Sequence, residues 1–180
     1  MIKRMLAFLL GIFLLSTVLP AAGIFLCPHI AFAGGAVPDE LPIAMRTFGI
    51  WDPHTSERLD FSVWYPGGRG GDDLPAVKDG WLVGASRRGR IIPGFYPVLI
   101  ISHDAASSRY ANNDLAGSLA AGGCIVIVPS HYGDNQIDNS AVYSAELVRN
   151  RPRQLLRALE TVLESPDFSM YADESRIGLL

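Results

Sequence analysis

The sequence predicts an α/β fold in which an antiparallel pair of strands leads into a parallel sheet with helices on both faces. Three observations predict it. "PVLIIS", "CIVIVP" and "SRIGLL" are short continuous apolar runs, as expected of strands covered on both sides. Helical patterns separate them, in the order strand, helix, strand, helix, strand. Ahead of them, "IAMRTFGIWD" and "RLDFSVWYPG" alternate with β-branched and aromatic residues around "DPHTSE", which reads as a hairpin. Right-handed crossovers turn such a series into a doubly wound unit.

The elements follow in order. "GGAVPDELP" is a loop before the hairpin. From Gly67 to Phe95 the chain becomes rich in Gly and charge, which predicts a long surface excursion with a short helical turn. After "PVLIIS", the stretch "SSRYANNDLAGSLAAGG" sets Leu115, Leu119 and small alanines at helical spacing, and Gly122-Gly123 stops it. "AELVRNRPRQLLRALETVLESP" is a long amphipathic segment whose apolar face is Leu155, Leu156, Leu159, Val162 and Leu163, ended by Pro166. Pro152 suits the first turn of the main helix there, where a missing N–H costs nothing. "ADE" reads as a turn before the last strand. No internal repeat is visible.

Hydrophobic residues make up 49% of the chain and charged ones 18%, a composition that folds rather than stays disordered. Part of the apolar excess sits at the start. "MIKRM" is followed by an apolar run from Leu6 to Leu26, and "AFA" at Ala31 to Ala33 offers small residues at the two positions a signal peptidase inspects. Residues 1–33 therefore read as a signal peptide, and 34–180 as the exported domain. The run is also long enough to span a bilayer, so an uncleaved membrane anchor is the alternative. Leu26 stands where a lipoprotein signal needs a small residue before Cys27, which rejects that reading.

Cleavage removes Lys3 and Arg4, taking the Lys and Arg count from 15 to 13 against 18 Asp and Glu. The net charge of about −5 that results offers no basic footprint for nucleic acid. Cys124 is then the only cysteine, so no internal disulfide forms and the thiol reads as a small core group.

Ligands of open parallel sheets bind at the carboxyl ends of the strands. Two stretches stand there: "SHDAASSRY" with His103 and Asp104, and "PSHYGDN" with His131 and Asp134. In the first, backbone N–H groups can converge on a developing oxyanion, and small Ala105 and Ala106 let a substrate approach. The plainer alternative is that Ser102, His103 and Asp104 only satisfy loop hydrogen bonds. The four His and Asp residues match no zinc spacing, so no metal is expected, and no cofactor. "GGRGGDD" does not run from a strand into a helix, and Asp72 and Asp73 repel phosphate; it is a flexible loop. Arg87, Arg88 and Arg90 read as a solvated cluster able to hold an acidic substrate. Of Arg149, Arg151 and Arg153, most face water while one can brace a neighbouring loop. Ser102, Ser107, Ser108 and Ser130 sit in no recognisable nucleophile turn, and no triad can be assembled.

These motifs carry a resemblance. "YPVLIISHDAASSRYANNDLAGSLAAGGCIVIVPSHYGDN" is similar to the strand, S-H-G loop, helix, strand, P-x-H segment of α/β-hydrolases, and "RNRPRQLLRALETVLE" with "ADESRIGLL" resembles the helix and strand that follow. The match is best to the predicted dienelactone hydrolase group, related to platelet-activating-factor acetylhydrolases, and covers about Met45 to Leu180. The resemblance implies a serine-type hydrolase of a small ester, lactone or lipid, with the Ala105 N–H in the oxyanion hole and His103 as a loop residue rather than the base. Asp104 departs from the family's glycine, putting a carboxylate beside a site for negative charge and a side chain where glycine's conformation is expected. Cys124 replaces an aromatic, as harmless packing variation.

In that family the strand matching "SRIGLL" runs into G-x-S-x-G, the nucleophile elbow, and acid and base follow later. Leu180 stands at its threshold, so the expectation is an amino-terminal part of the fold without its triad, inactive as an esterase by itself. The competing expectation is a non-catalytic exported binding protein or a degenerate remnant, which Asp104 and the missing triad favour.

Overall fold

The computed structural model describes residues 41–68 and 76–180. The expected signal or anchor at 1–33, and the "GGRGGDD" loop from 69 onward, lie outside the described residues.

The hairpin forms as read. Strands β1 (Ile43–Asp52) and β2 (Glu57–Pro66) pair antiparallel in unbroken register from Ile43 opposite Pro66 to Asp52 opposite Glu57. Asp52 closes the turn by accepting the His54 N–H at 3.0 Å. The region from Gly67 to Phe95 departs from expectation. Its described part carries three short strands, β3 (Ala76–Lys78), β4 (Trp81–Val83) and β5 (Ser86–Arg87), and no helical turn. Asp79 (φ 50°) and Gly80 (φ 85°) make the β3–β4 turn left-handed at both central residues, which matches the twist of a two-residue hairpin.

Strand β6 (Tyr96–Ile100), helix α1 (Asn113–Ala121), strand β7 (Ile125–Ser130), helix α2 (Ala145–Glu164) and strand β8 (Ala172–Leu179) complete the chain. The six-stranded sheet runs β5-β1-β2-β7-β6-β8. β2 meets β7 antiparallel, and β7, β6 and β8 are mutually parallel. The chain thus steps from β6 outward to β7, then returns across β6 to β8.

Alternation along the strands divides the core in two. Phe61, Val63, Ile125 and Ile127 face Leu155, Leu159 and Val162 of α2. Trp64, Val126 and Val128 face Ala116 and Ala120 of α1, with Cys124 buried in the same layer. Helices therefore cover opposite faces of the sheet, which is why β7 is apolar at successive positions.

Three local expectations need correction. Pro152 lies inside α2, not in its first turn, because Ser144 caps the helix well upstream by accepting the Leu147 N–H at 3.2 Å. The i−4 carbonyl that Pro152 leaves without a donor belongs to exposed Val148, where water can replace it. Leu115 is 47% exposed, and α1 packs instead through Ala116, Gly117 and Ala120. The turn expected at "ADE" is a bulge within β8: Asp173 pairs with Pro97 but Ile177 with Val98, and Asp173 takes the Ser175 N–H and the Arg176 guanidinium in between.

Candidate active site

The two histidine loops meet where expected, at the carboxyl ends of β6 and β7. The His103 and His131 rings lie 4.8 Å apart, centroid to centroid. His103 is a loop brace. Its Nδ1 sits 2.8 Å from the Asp104 carbonyl, which can only accept, so Nδ1 carries the proton. Nε2 is then free to accept the His131 backbone N–H at 3.2 Å. Burial holds the ring below the ordinary histidine pKa, in agreement with this neutral form.

His131 is fully buried. Its Nε2 lies 3.0 Å from Ser102 Oγ and its Nδ1 2.6 Å from Gln154 Oε1. The sequence reading missed this serine–histidine–glutamine chain, because Gln154 comes from α2 and nothing in its spacing points to a histidine. The arrangement is a tether rather than a triad. Burial, then the neighbouring His103, push the His131 pKa down to about 3, too low for a general base near neutral pH. Gln154 carries no charge to stabilise an imidazolium.

Asp134 and Arg151 form the ionic centre. Asp134 is buried, and its Oδ2 receives Arg151 Nε at 2.9 Å and Nη2 at 2.5 Å. Arg151 Nη1 also donates to the His103 carbonyl at 2.9 Å and to Ser102 Oγ at 3.3 Å. The other carboxylate oxygen of Asp134 accepts the Ala106 N–H at 2.7 Å. Arg149 and Arg153 are exposed, so the basic stretch of α2 supplies one brace and two solvated charges, as the sequence suggests.

Ala105 lies at the second position of a turn closed by Ser107 N–H to the Asp104 carbonyl at 3.2 Å. It is exposed, and no acceptor meets its N–H among the described residues. Asp104 is also exposed, and its φ is not positive; the left-handed residue of the turn is Ala106, at φ 53°. The left-handed conformation expected to demand glycine at 104 is therefore met two positions later, at Ala106. Ser108 is spent on the loop, its Oγ accepting the Tyr110 N–H and donating to Asp79.

Beside this loop a cleft of about 260 Å³ opens between Asp79, Ser107, Arg109, Ser130 and Tyr132. A hollow of about 640 Å³, lined by Arg46, Tyr65, Arg90, Ile92 and Tyr171, lies at the opposite end of the sheet, away from the histidines. No group of three or more His, Cys, Asp or Glu able to hold a metal occurs among the described residues. Nor is any helix among them long and apolar enough to cross a membrane.

Among solved structures, a ferulic acid esterase from Streptomyces cinnamoneus superposes with a TM-score of 0.60 at 22% identity, over 80% of this chain and 53% of that one. The chain shares with that esterase a mixed α/β fold built on a mostly parallel sheet. The chain spans about half the length of that esterase. A hypothetical protein from Pseudomonas aeruginosa matches at a TM-score of 0.47 and 16% identity, over 84% of this chain and 40% of that one. No family model matches the chain, and no curated protein sequence is similar to it.

Proposed function

We infer that the chain is the amino-terminal part of an exported serine-type carboxylic ester hydrolase, akin to the dienelactone hydrolase and platelet-activating-factor acetylhydrolase group. One observation carries this reading. Among the described residues the Ala105 N–H, like that of Asp104 before it, meets no acceptor at the carboxyl end of β6, while β8 ends beside it through the Ser102 N–H to Leu180 carbonyl bond at 2.9 Å. In this reading a serine following β8 attacks an ester carbonyl, the oxygen takes up negative charge, and Ala105 N–H holds it together with the N–H after the serine. The acyl-enzyme that forms is released by water. Ala105 is the catalytic contribution of residues 1–180, and His103 and Asp104 belong to the supporting loop. The substrate class is a small ester, lactone or lipid ester, and export follows from the signal-like residues 1–33, with an anchor as the alternative.

The first test is to read the coding sequence past the codon for Leu180. An in-frame G-x-S-x-G supports the reading; a stop codon there favours the binding remnant. The encoded protein is then expected to hydrolyse nitrophenyl acetate and feruloyl esters, and to lose that activity to a serine-directed phosphonate. Proline is favoured at the second position of a turn, so Ala105→Pro removes the N–H with the turn intact. It is expected to lower kcat by about a hundredfold to a thousandfold, the usual cost of one oxyanion donor. An unchanged kcat would refute the role of Ala105.

A further inference from the structure

We propose that Arg151 and Asp134 are a positioning pair that grips the loop on both sides of Ala105, Arg151 by the His103 carbonyl and Asp134 by the Ala106 N–H. The inference rests on the reading of Ala105 as an oxyanion donor and names what holds it there.

The hydrogen bonds around Ala105 show the design. The His103 carbonyl goes to Arg151 Nη1 at 2.9 Å, and the Asp104 carbonyl to His103 Nδ1 at 2.8 Å. The Ala106 N–H goes to Asp134 Oδ1 at 2.7 Å, and the Ser107 carbonyl accepts the Gln136 N–H at 3.0 Å. The Ala106 N–H is committed to Asp134, whereas the N–H groups of Asp104 and Ala105 meet no acceptor among the described residues. Asp134 is fully buried, and its two oxygens point different ways, one to the loop and one to the guanidinium. A planar fork suits this task, since one face of Arg151 meets the carboxylate and its remaining nitrogen reaches a carbonyl. The pair also accounts for Ala106 at φ 53°, a conformation that alanine rarely adopts and that a charge-assisted bond to its N–H can hold. Arg151 comes from α2 and Asp134 from the loop after β7, so the position of Ala105 is set by two elements other than its own.

Two readouts keep this inference apart from the hydrolase reading. The first is amide hydrogen exchange, residue by residue. The Ala106 amide is expected to be protected at least tenfold over Ala105, and Arg151→Met to abolish that difference while the β6 and β7 amides hold theirs. Equal protection at the outset, or protection that survives Arg151→Met, overturns the pair whatever the enzyme assay shows. Arg151→Met leaves a buried carboxylate unpaired. Should it fail to fold, Arg151→Lys, which keeps the charge and loses the fork, is held to the same measure.

The second readout is kinetic. Arg151→Met is expected to lower kcat roughly tenfold to a hundredfold, the scale of a displaced catalytic group, with KM within about twofold. Arg151→Lys should recover part of the loss. A double variant, Ala105→Pro with Arg151→Met, should be no slower than Ala105→Pro alone, because Arg151 acts through that N–H. Losses that multiply would overturn the proposal. An encoded protein that hydrolyses no ester refutes the hydrolase reading and leaves the exchange experiment to decide the pair.

Discussion

The two helices that cover the sheet do different work. α1 is short, buries only Asn113, Ala116, Gly117 and Ala120, and has no side-chain cap at Asn112. Its small residues bring its backbone close to β2 and β7. α2 runs from Ala145 to Glu164 under a Ser144 cap and buries Leu155, Leu159 and Val162 along one stripe. At its amino-terminal half that stripe changes character: Arg151 and Gln154 reach the loops instead of a greasy core, and buried Asn150 bonds Glu146 of its own helix. One helix is a spacer, and the other is both core and scaffold for the candidate site. Coverage of a sheet face needs little specificity, whereas holding two loops in register needs polar groups with defined partners.

The largest expected contrast is in packing. Leu159→Ala, at a residue 2% exposed, should destabilise the protein by about 2–5 kcal/mol in urea denaturation. Leu115→Ala on α1, at 47% exposure, should cost well under about 1 kcal/mol. Similar losses at both sites would remove the distinction between the helices.

Acid should act through the polar end of α2. His131, tethered to Gln154, has a pKa of about 3 in the fold against 6.5 for an ordinary histidine, owing first to burial. The unfolded chain therefore takes up a proton that the folded chain refuses. Stability is complete above about pH 6.5 and falls as the pH drops from there toward 3, by up to roughly 1.4 kcal/mol per pH unit for this group. His103, also depressed by burial, acts in the same direction. Urea midpoints measured between pH 7.5 and 5, where carboxylates titrate little, check this. A flat profile would show that His131 is not buried neutral, and His131→Gln should make the slope shallower.

The smallest contrast is at the helix starts. Ser144→Ala should cost about 1 kcal/mol by thermal denaturation, because its side chain accepts the Leu147 N–H. Asn112→Ala should stay within about 0.5 kcal/mol, since that side chain caps nothing.

Much of this architecture was legible before any coordinates. The apolar runs at 96–101 and 124–129 are buried strands because both faces are covered, and a two-sided strand cannot hide that in its composition. The placement of His103 and His131 at strand ends was legible for the same reason. The short strands after Gly67 were not, because two- and three-residue strands carry no period to read. Pro152 misled, since a proline signals a helix start only when no better cap stands upstream, and Ser144 does.

By itself, then, the sequence determined the order of elements, the double coverage of the sheet and the strand ends at which polar loops gather. These follow from periodicity, which is a local property of the chain. Only the tertiary structure decided that Gln154 meets His131, that Arg151 and Asp134 pair, and that the Ala106 N–H meets Asp134 while the Ala105 N–H meets no acceptor among the described residues. Such contacts join residues far apart in the chain. Hydrogen bonds depend on distance and direction to a few tenths of an ångström, and no pattern along one strand or helix encodes where another element will stand.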